Sequence, residues 1–321
     1  MASALIIGRD GARAAPLPAY LARVQRCRQI AQPGTHGRPR MNPVVAVIAP
    51  GMMGAAVGKR LADHGLKVLT SLKGRSAETT ARAKAAGMVS ASDEEIAATD
   101  FILSILPPGD AVALAQRFAP ALTASNGKPV FVDCNAVSPP TVERIAAAVA
   151  PTGSPFVDAG IIGAPPKPGD AGPRFYASGP DAPRLAKLKD FGLDVRVLAG
   201  PMSAASAMKM SYAGITKGTQ ALGAAMLLAA TRGGSADALF AELQGSQPQM
   251  LAWLKRNLAL MPPKAYRWVA EMHEIADFVG QDPAAHELYL GAAHFYEQIA
   301  QDFEGDKTQV AALEAFMSKG A

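Results

Sequence analysis

From Val44 onward the chain repeats one unit, a short apolar run followed by a helical stretch. The runs are "VVAVIA" (44–49), "KVLTS" (67–71), "FILSIL" (101–106), "PVFVD" (129–133) and "PFVDAG" (155–160), with "MV" (88–89) a weaker sixth. Helical patterns fill the gaps, notably over 52–64, 77–86 and 110–123. Strands separated by helices of this length need right-handed crossovers, so the spacing predicts a doubly wound α/β fold with a parallel sheet. Ligands of such sheets bind at the carboxyl ends of the strands. "RFYASG" (174–179) and "DVRVLAG" (194–200) are expected to add edge strands. From about Ser203 the strand signal stops and the chain reads as helices rich in Ala, Leu and Met. The predicted organisation is a sheet domain over 41–202 and an all-α domain, for substrate binding or dimerisation, over 203–321.

Charge bears on the choice of partner. The formal net charge is +5, but residues 1–40 hold seven Arg and one Asp, and the remainder carries 25 basic and 26 acidic residues. A nucleic-acid surface loses its electrostatic footing once that basic stretch is set aside. The stretch itself is expected to be a disordered or mis-started extension, since Met41 stands directly before the first strand; a targeting peptide is the alternative. No apolar run has the form of a membrane span. Two cysteines, Cys27 and Cys134, cannot build a disulfide framework, and no Cys/His spacing predicts a metal site. A cytoplasmic setting fits this usage.

"VIAPGMMGAAVGKRL" (47–61) carries the first strand into a glycine-containing turn and a helix. In the G-x-G-x-x-G fingerprint of the Rossmann-like domain the first glycine makes the tight turn, the second admits the pyrophosphate, and the third lets helix and strand pack. Gly51 and Gly54 fill the second and third roles, while Ala49 replaces the first and Pro50 stiffens the turn. A helix starting after Gly51, at Met52 and Met53, offers unpaired N–H groups to a diphosphate. The competing reading is a tight turn without a ligand. Dinucleotide identity is set at the end of the second strand, where NAD(H) sites carry an acid. "TSLKGRS" (70–76) has none. Ser71, Lys73, Arg75 and Ser76 can surround a 2′-phosphate instead, which favours NADP(H) over NAD(H) unless this is simply a solvated basic loop.

With these motifs in place the sequence resembles a family. "VIAPGMMG", "FILSILPPGDA", "VDCNAVSPPT", "FVDAGIIGAPP" and "ASAMKMSYAGITKG" follow the order seen in the β-hydroxyacid dehydrogenases, relatives of 6-phosphogluconate dehydrogenase. "YRWVAEMHEIA" looks like the subgroup whose helical domain is of unknown function, and the resemblance covers residues 44–290. It implies that Lys209 is the general acid/base. The residues supply a reason: a lysine among Ala, Met and Tyr is poorly solvated, the condition under which an ammonium exchanges its proton near neutrality. A lysine snorkelling from an apolar helix is the plainer alternative. Lys217, about 80° further round the same helix, is expected either to hold an anionic end of the substrate or to cap the helix surface.

Other positions depart from the family. Ala213 stands where relatives carry an Asn, and Ile162, Gly163 and Ala164 stand where they carry Ser-Gly-Gly for the substrate carboxylate. The loss of donors predicts a larger or more apolar substrate. Leu106, Pro107 and Pro108 are expected to shape the cofactor wall, Asn135 to touch nicotinamide ribose or substrate or else only to make a turn, and Asp158 to pin a turn. In "YRWVAEMHEIADFVG" Trp268, Met272, Ile275 and Val279 form an apolar stripe with Arg267, Glu271 and Glu274 opposite. That pattern predicts a core-facing helix with an Arg267–Glu271 pair; its rival is that Glu271 or His273 closes an active site, a partner subunit's included. His64, His286 and His294 read as surface or packing residues. The function expected is an NADP(H)-dependent oxidoreductase acting on a 3-hydroxy acid or its aldehyde or ketone counterpart, working as a cytoplasmic homodimer on a small molecule. Imine reduction on the same scaffold, whose enzymes usually lack the lysine, and a dinucleotide-sensing protein are the alternatives.

Overall fold

The computed structural model describes residues 42–320; the expectation for residues 1–40 falls outside them. Eight strands, β1 (Val45–Ile48), β2 (Val68–Thr70), β3 (Val89–Ser90), β4 (Phe101–Ser104), β5 (Val130–Asp133), β6 (Phe156–Ile162), β7 (Arg174–Ser178) and β8 (Asp194–Val197), form one sheet in the order β3-β2-β1-β4-β5-β6-β7-β8. Each pair is parallel except β6 with β7. Of the two strands expected at an edge only β8 lies there, because β7 runs back beside β6 and leaves its far side for β8.

The continuous apolar strands are explained by cover on both faces, which a parallel sheet requires. Helices α1 (Met52–Asp63) and α2 (Ala77–Ala85) and the short α6 (Ala182–Leu185) bury side chains such as Val57, Leu61, Ala83 and Leu185 against one face. The short α3 (Asp93–Ala97), α4 (Ala111–Ala124) and α5 (Pro139–Val149) cover the other through Ile96, Phe118 and Ile145. Strand order reverses between β2-β1 and β4, which opens a crevice at the carboxyl ends of β1 and β4.

Beyond the sheet come six helices: α7 (Ala204–Arg232), α8 (Ala236–Ser246), α9 (Pro248–Leu258), α10 (Ala265–Phe278), α11 (Pro283–Glu304) and α12 (Thr308–Met317). They share a core of their own around Met210, Leu254, Met272 and Tyr296. Helix α7 also lies against β6, and the approach is close enough to require a missing side chain. A Cβ on Gly160 would stand 2.9 Å from Lys209 Cβ and 3.1 Å from the Ala205 carbonyl. That contact places Lys209 beside the sheet.

Candidate functional site

The β1–α1 turn has the form of an anion cradle. Gly51 is the N-cap of α1, no side chain caps the helix, and its first turn carries no acid. The free N–H groups and the positive end of the helix dipole are therefore left for a ligand. The two glycines do different work. A Cβ on Gly54 would lie 2.0 Å from the Ala49 carbonyl oxygen, so Gly54 serves packing, whereas a Cβ on Gly51 would meet nothing within 4 Å. Ala49 is buried, Met52 is exposed and Met53 packs on the core. The Leu106, Pro107 and Pro108 segment borders the same turn, since the Ala49 amide donates to the Ile105 carbonyl at 3.1 Å. A residue that sequence reasoning passed over also reaches it: Arg82 Nη1 donates to the Pro50 carbonyl at 3.4 Å while the guanidinium pairs with Glu78. These features fit a dinucleotide diphosphate.

The basic loop after β2 resolves into two kinds of residue. Ser71 is buried, and its hydroxyl accepts from Arg117 Nη2 at 2.8 Å, with Arg117 forked onto Asp93 at 2.6 and 2.9 Å. Ser76 caps α2, accepting from the Thr79 amide at 3.2 Å. Ser76 spends its hydroxyl hydrogen on Thr79 Oγ1 at 3.1 Å, whereas Ser71 only accepts from Arg117 and keeps its hydrogen for a further acceptor. Lys73 and Arg75 remain exposed, with no ion-pair partner among the described residues.

Asn135 is turned inward. It is 2% exposed, and its amide donates to Ser104 Oγ at 2.8 Å and to Asp133 while its oxygen accepts from the Leu106 amide. The side chain ties the ends of β4 and β5 together and has both amide hydrogens taken. Asp133 and Asp158 are register partners on β5 and β6, both fully buried. Burial, reinforced by Asp158, pushes the Asp133 carboxyl up to about 8, and one of its oxygens has no hydrogen-bond partner. Burial also raises Asp158, to about 6, against the opposing pull of its donors. Those donors show what Asp158 does: it accepts from the Ser206 amide at 2.8 Å and the Ser206 hydroxyl at 2.6 Å, while Ser178 Oγ accepts from the Ala205 amide at 2.8 Å. The pinning expected of Asp158 is real, and its object is the start of α7 rather than a turn.

Three charged side chains meet between α7 and α10. Glu271 forms an ion pair with Lys217, and its Oε1 lies 3.9 Å from Lys209 Nζ. All three are largely buried. Burial lowers the Lys217 ammonium, ahead of the opposing pull of Glu271. For Glu271 burial acts upward, but Lys217 and Lys209 together outweigh it and hold the carboxyl below its ordinary value. The Arg267–Glu271 pair expected of α10 is therefore corrected to a Lys217–Glu271 pair. This helix packs against α11, α7 and α5, and Glu271 and Glu274 each turn inward to a donor set. Glu274 accepts from the Ser138 amide at 2.7 Å and from Thr141 Oγ1 at 2.9 Å, capping α5. His273 is exposed and joins none of these contacts.

Ile162 is buried at the end of β6, and Gly163 turns sharply with φ of +130°, a conformation suited to glycine. The loop over 163–173 then runs to α1, where Arg60 donates to the Lys167 carbonyl at 2.8 Å and pairs with Asp170 at 2.6 Å. Arg60 thus fixes a segment whose sequence alone gives no sign of the tether.

Known proteins agree with this architecture. Residues 44–190 match the NAD binding domain of 6-phosphogluconate dehydrogenase, and residues 230–299 match a domain of unknown function, DUF1932. The resemblance is borne out in both parts: the sheet region is similar to the NAD binding domain of 6-phosphogluconate dehydrogenase, and the helical region after it to that uncharacterised domain. An uncharacterised 28.5 kDa protein of Methanothermus fervidus is 29% identical over 159 residues, 49% of this chain and 59% of its own length. A conserved protein of unknown function, described as structurally similar to 3-hydroxyacid dehydrogenases, is 29% identical with a TM-score of 0.62, covering 81% of this chain and 97% of its own. Mycobacterium tuberculosis 3-hydroxyisobutyrate dehydrogenase, solved with L-serine, shares the fold at 20% identity and a TM-score of 0.65, covering 86% of this chain and 99% of its own.

Proposed function

We propose that this chain is an NADP(H)-dependent oxidoreductase acting on a 3-hydroxy acid or its aldehyde or ketone counterpart, with Lys209 as general acid/base. The observation that carries the reading is Lys209 itself, a largely buried lysine held against β6 at Gly160 in a protein whose α1 N-terminus is left open. When bound, the nicotinamide supplies or accepts the hydride. The chain's part is proton handling: Lys209 Nζ gives its proton to the carbonyl oxygen in reduction, or takes the hydroxyl proton in oxidation, and exchanges it afterwards with water. Two lysines and one carboxylate leave the cluster one positive charge, which suits a substrate with an acid group. With Ile162 and Ala213 in place of hydroxyl and amide donors, that substrate is larger or more apolar than a small hydroxy acid. The exposed Lys73 and Arg75 support NADP(H) over NAD(H). The lysine favours alcohol–carbonyl chemistry over imine reduction or mere sensing.

A homodimer is part of the reading. Tyr212, Ile215, Leu222 and Met226 are 49%, 70%, 62% and 54% exposed, at helical spacing along α7. Large apolar side chains gathered on one helix face are features of association surfaces. No helix among the described residues is long and apolar enough to cross a membrane, and Cys134 is free and buried, as a cytoplasmic setting would allow.

The test is Lys209→Ala. Turnover on the responsive substrate of a hydroxy-acid and carbonyl panel is expected to fall about 10² to 10⁴-fold, with NADPH affinity unchanged. Near wild-type turnover, or loss through NADPH binding alone, overturns the assignment.

A further inference from the structure

The Lys209–Glu271–Lys217 cluster is not built as an ordinary packing ion pair. A carboxylate that only joins two helices spends both oxygens on donors, since a buried polar atom left without a partner is costly. Glu271 is 7% exposed and spends one oxygen on Lys217. Its other oxygen, Oε1, is buried with no hydrogen bond, and the ammonium it faces is Lys209 at 3.9 Å. That separation is beyond a hydrogen bond and within a strong electrostatic pull.

Lys217 is held from several directions. Its Nζ pairs with Glu271 and lies 5.1 Å above the Trp268 ring, while its carbonyl accepts from the Tyr296 hydroxyl at 2.6 Å. Trp268 is in turn packed edge-on against Tyr296, with centroids 5.2 Å apart. Lys217 is thus an anchor for a carboxylate and is unavailable to a substrate anion. The remaining charged group acting on Glu271 is Arg267, from its own helix.

We propose that Glu271 is a positioning residue for Lys209: fixed by Lys217, it aims its second oxygen at the Lys209 ammonium and sets where that ammonium stands for proton transfer. This rests on the reading of Lys209 given above. It also accounts for Ala213. The amide that relatives carry one helical turn after the lysine is absent, and the carboxylate that faces the ammonium here comes from α10.

The test measures kcat, KM and the pH profile of kcat on full-length protein. Glu271→Gln is expected to lower kcat at least about tenfold, leave the KM for NADPH unchanged, and move the profile's lysine limb down by about one pH unit, because a neighbouring carboxylate has been removed. Lys217→Met is expected to move the same limb, and the double variant to be no slower than Glu271→Gln alone, since Lys217 acts only through Glu271. Single variants leave a buried charge unpaired and can fail to fold. Lys217→Met with Glu271→Met replaces the pair by apolar chains, which typically preserves stability. That double variant should melt at or above the wild-type temperature and still be slow. Recovery of wild-type kcat in it, or a Glu271→Gln enzyme with wild-type kcat and pH profile, overturns the proposal. If Lys209→Ala is inactive while the Glu271 variants are not, the positioning role alone falls; if Lys209→Ala is active, the proposed function falls with it.

Discussion

Two helices begin beside the same sheet and are finished in opposite ways. Helix α1 starts at Gly51 with no side-chain cap, no acid in its first turn and exposed Gly51 and Met52 around it. The first turn of helix α7 holds buried Ala205 and Ser206, whose amides are met by Ser178 and Asp158 reaching out of β7 and β6. A buried N–H must find an acceptor within the protein, whereas an exposed one can wait for a ligand. The plugged end fixes where Lys209 sits, and the open end is where an anionic cofactor can be received.

The comparison breaks most sharply at Gly51. Its φ of −68° and ψ of −171° suit an N-cap side chain, and a Cβ there meets nothing. Gly51→Asp should therefore close the open end: the melting temperature should hold or rise slightly, while NADPH affinity falls at least about 100-fold, roughly 3 kcal/mol. Unchanged affinity in a fluorescence titration would mean that the diphosphate is held elsewhere. Arg75→Ala probes the far half of the same site. NADPH binding should weaken by about 1.5–3 kcal/mol, the worth of a charge-assisted contact, with NADH affinity kept. Equal losses for both cofactors would remove the basis for preferring NADP(H). At the plugged end, Asp158→Ala strips the acceptor from the Ser206 amide and hydroxyl and should cost about 1–3 kcal/mol in urea denaturation. A midpoint equal to wild type would show that Ser178 alone satisfies α7 and that the two helix starts differ less than their contacts suggest.

The strands of the sheet were legible because parallel strands covered on both faces read as unbroken apolar runs. The fingerprint was legible because its chemistry is local, so Gly54 could be assigned to packing from sequence spacing before any distance was known. The partners of Ser71 and Glu271 are not legible, for the opposite reason. The partner of Ser71 lies 46 residues away on α4, and that of Glu271 lies 54 residues away on α7. Periodicity placed Glu271 on the polar side of its helix but could not tell that this side faces another helix. Asn135 shows the same limit: a turn residue and a ligand residue look alike until Ser104 and Leu106 are seen to use its amide.

The Arg117 fork on Ser71 and Asp93 carries a consequence for redesign of cofactor choice. An acid at the end of β2 is the usual feature of NAD(H) sites, so Ser71→Asp is the first change an engineer would make. Here the new carboxylate would arrive beside a guanidinium already oriented toward position 71. It would form an internal ion pair instead of greeting a ribose, and Asp93 would lose part of its own partner. A switch of cofactor in this protein has to begin on α4, by retiring Arg117, before anything is written at the strand end.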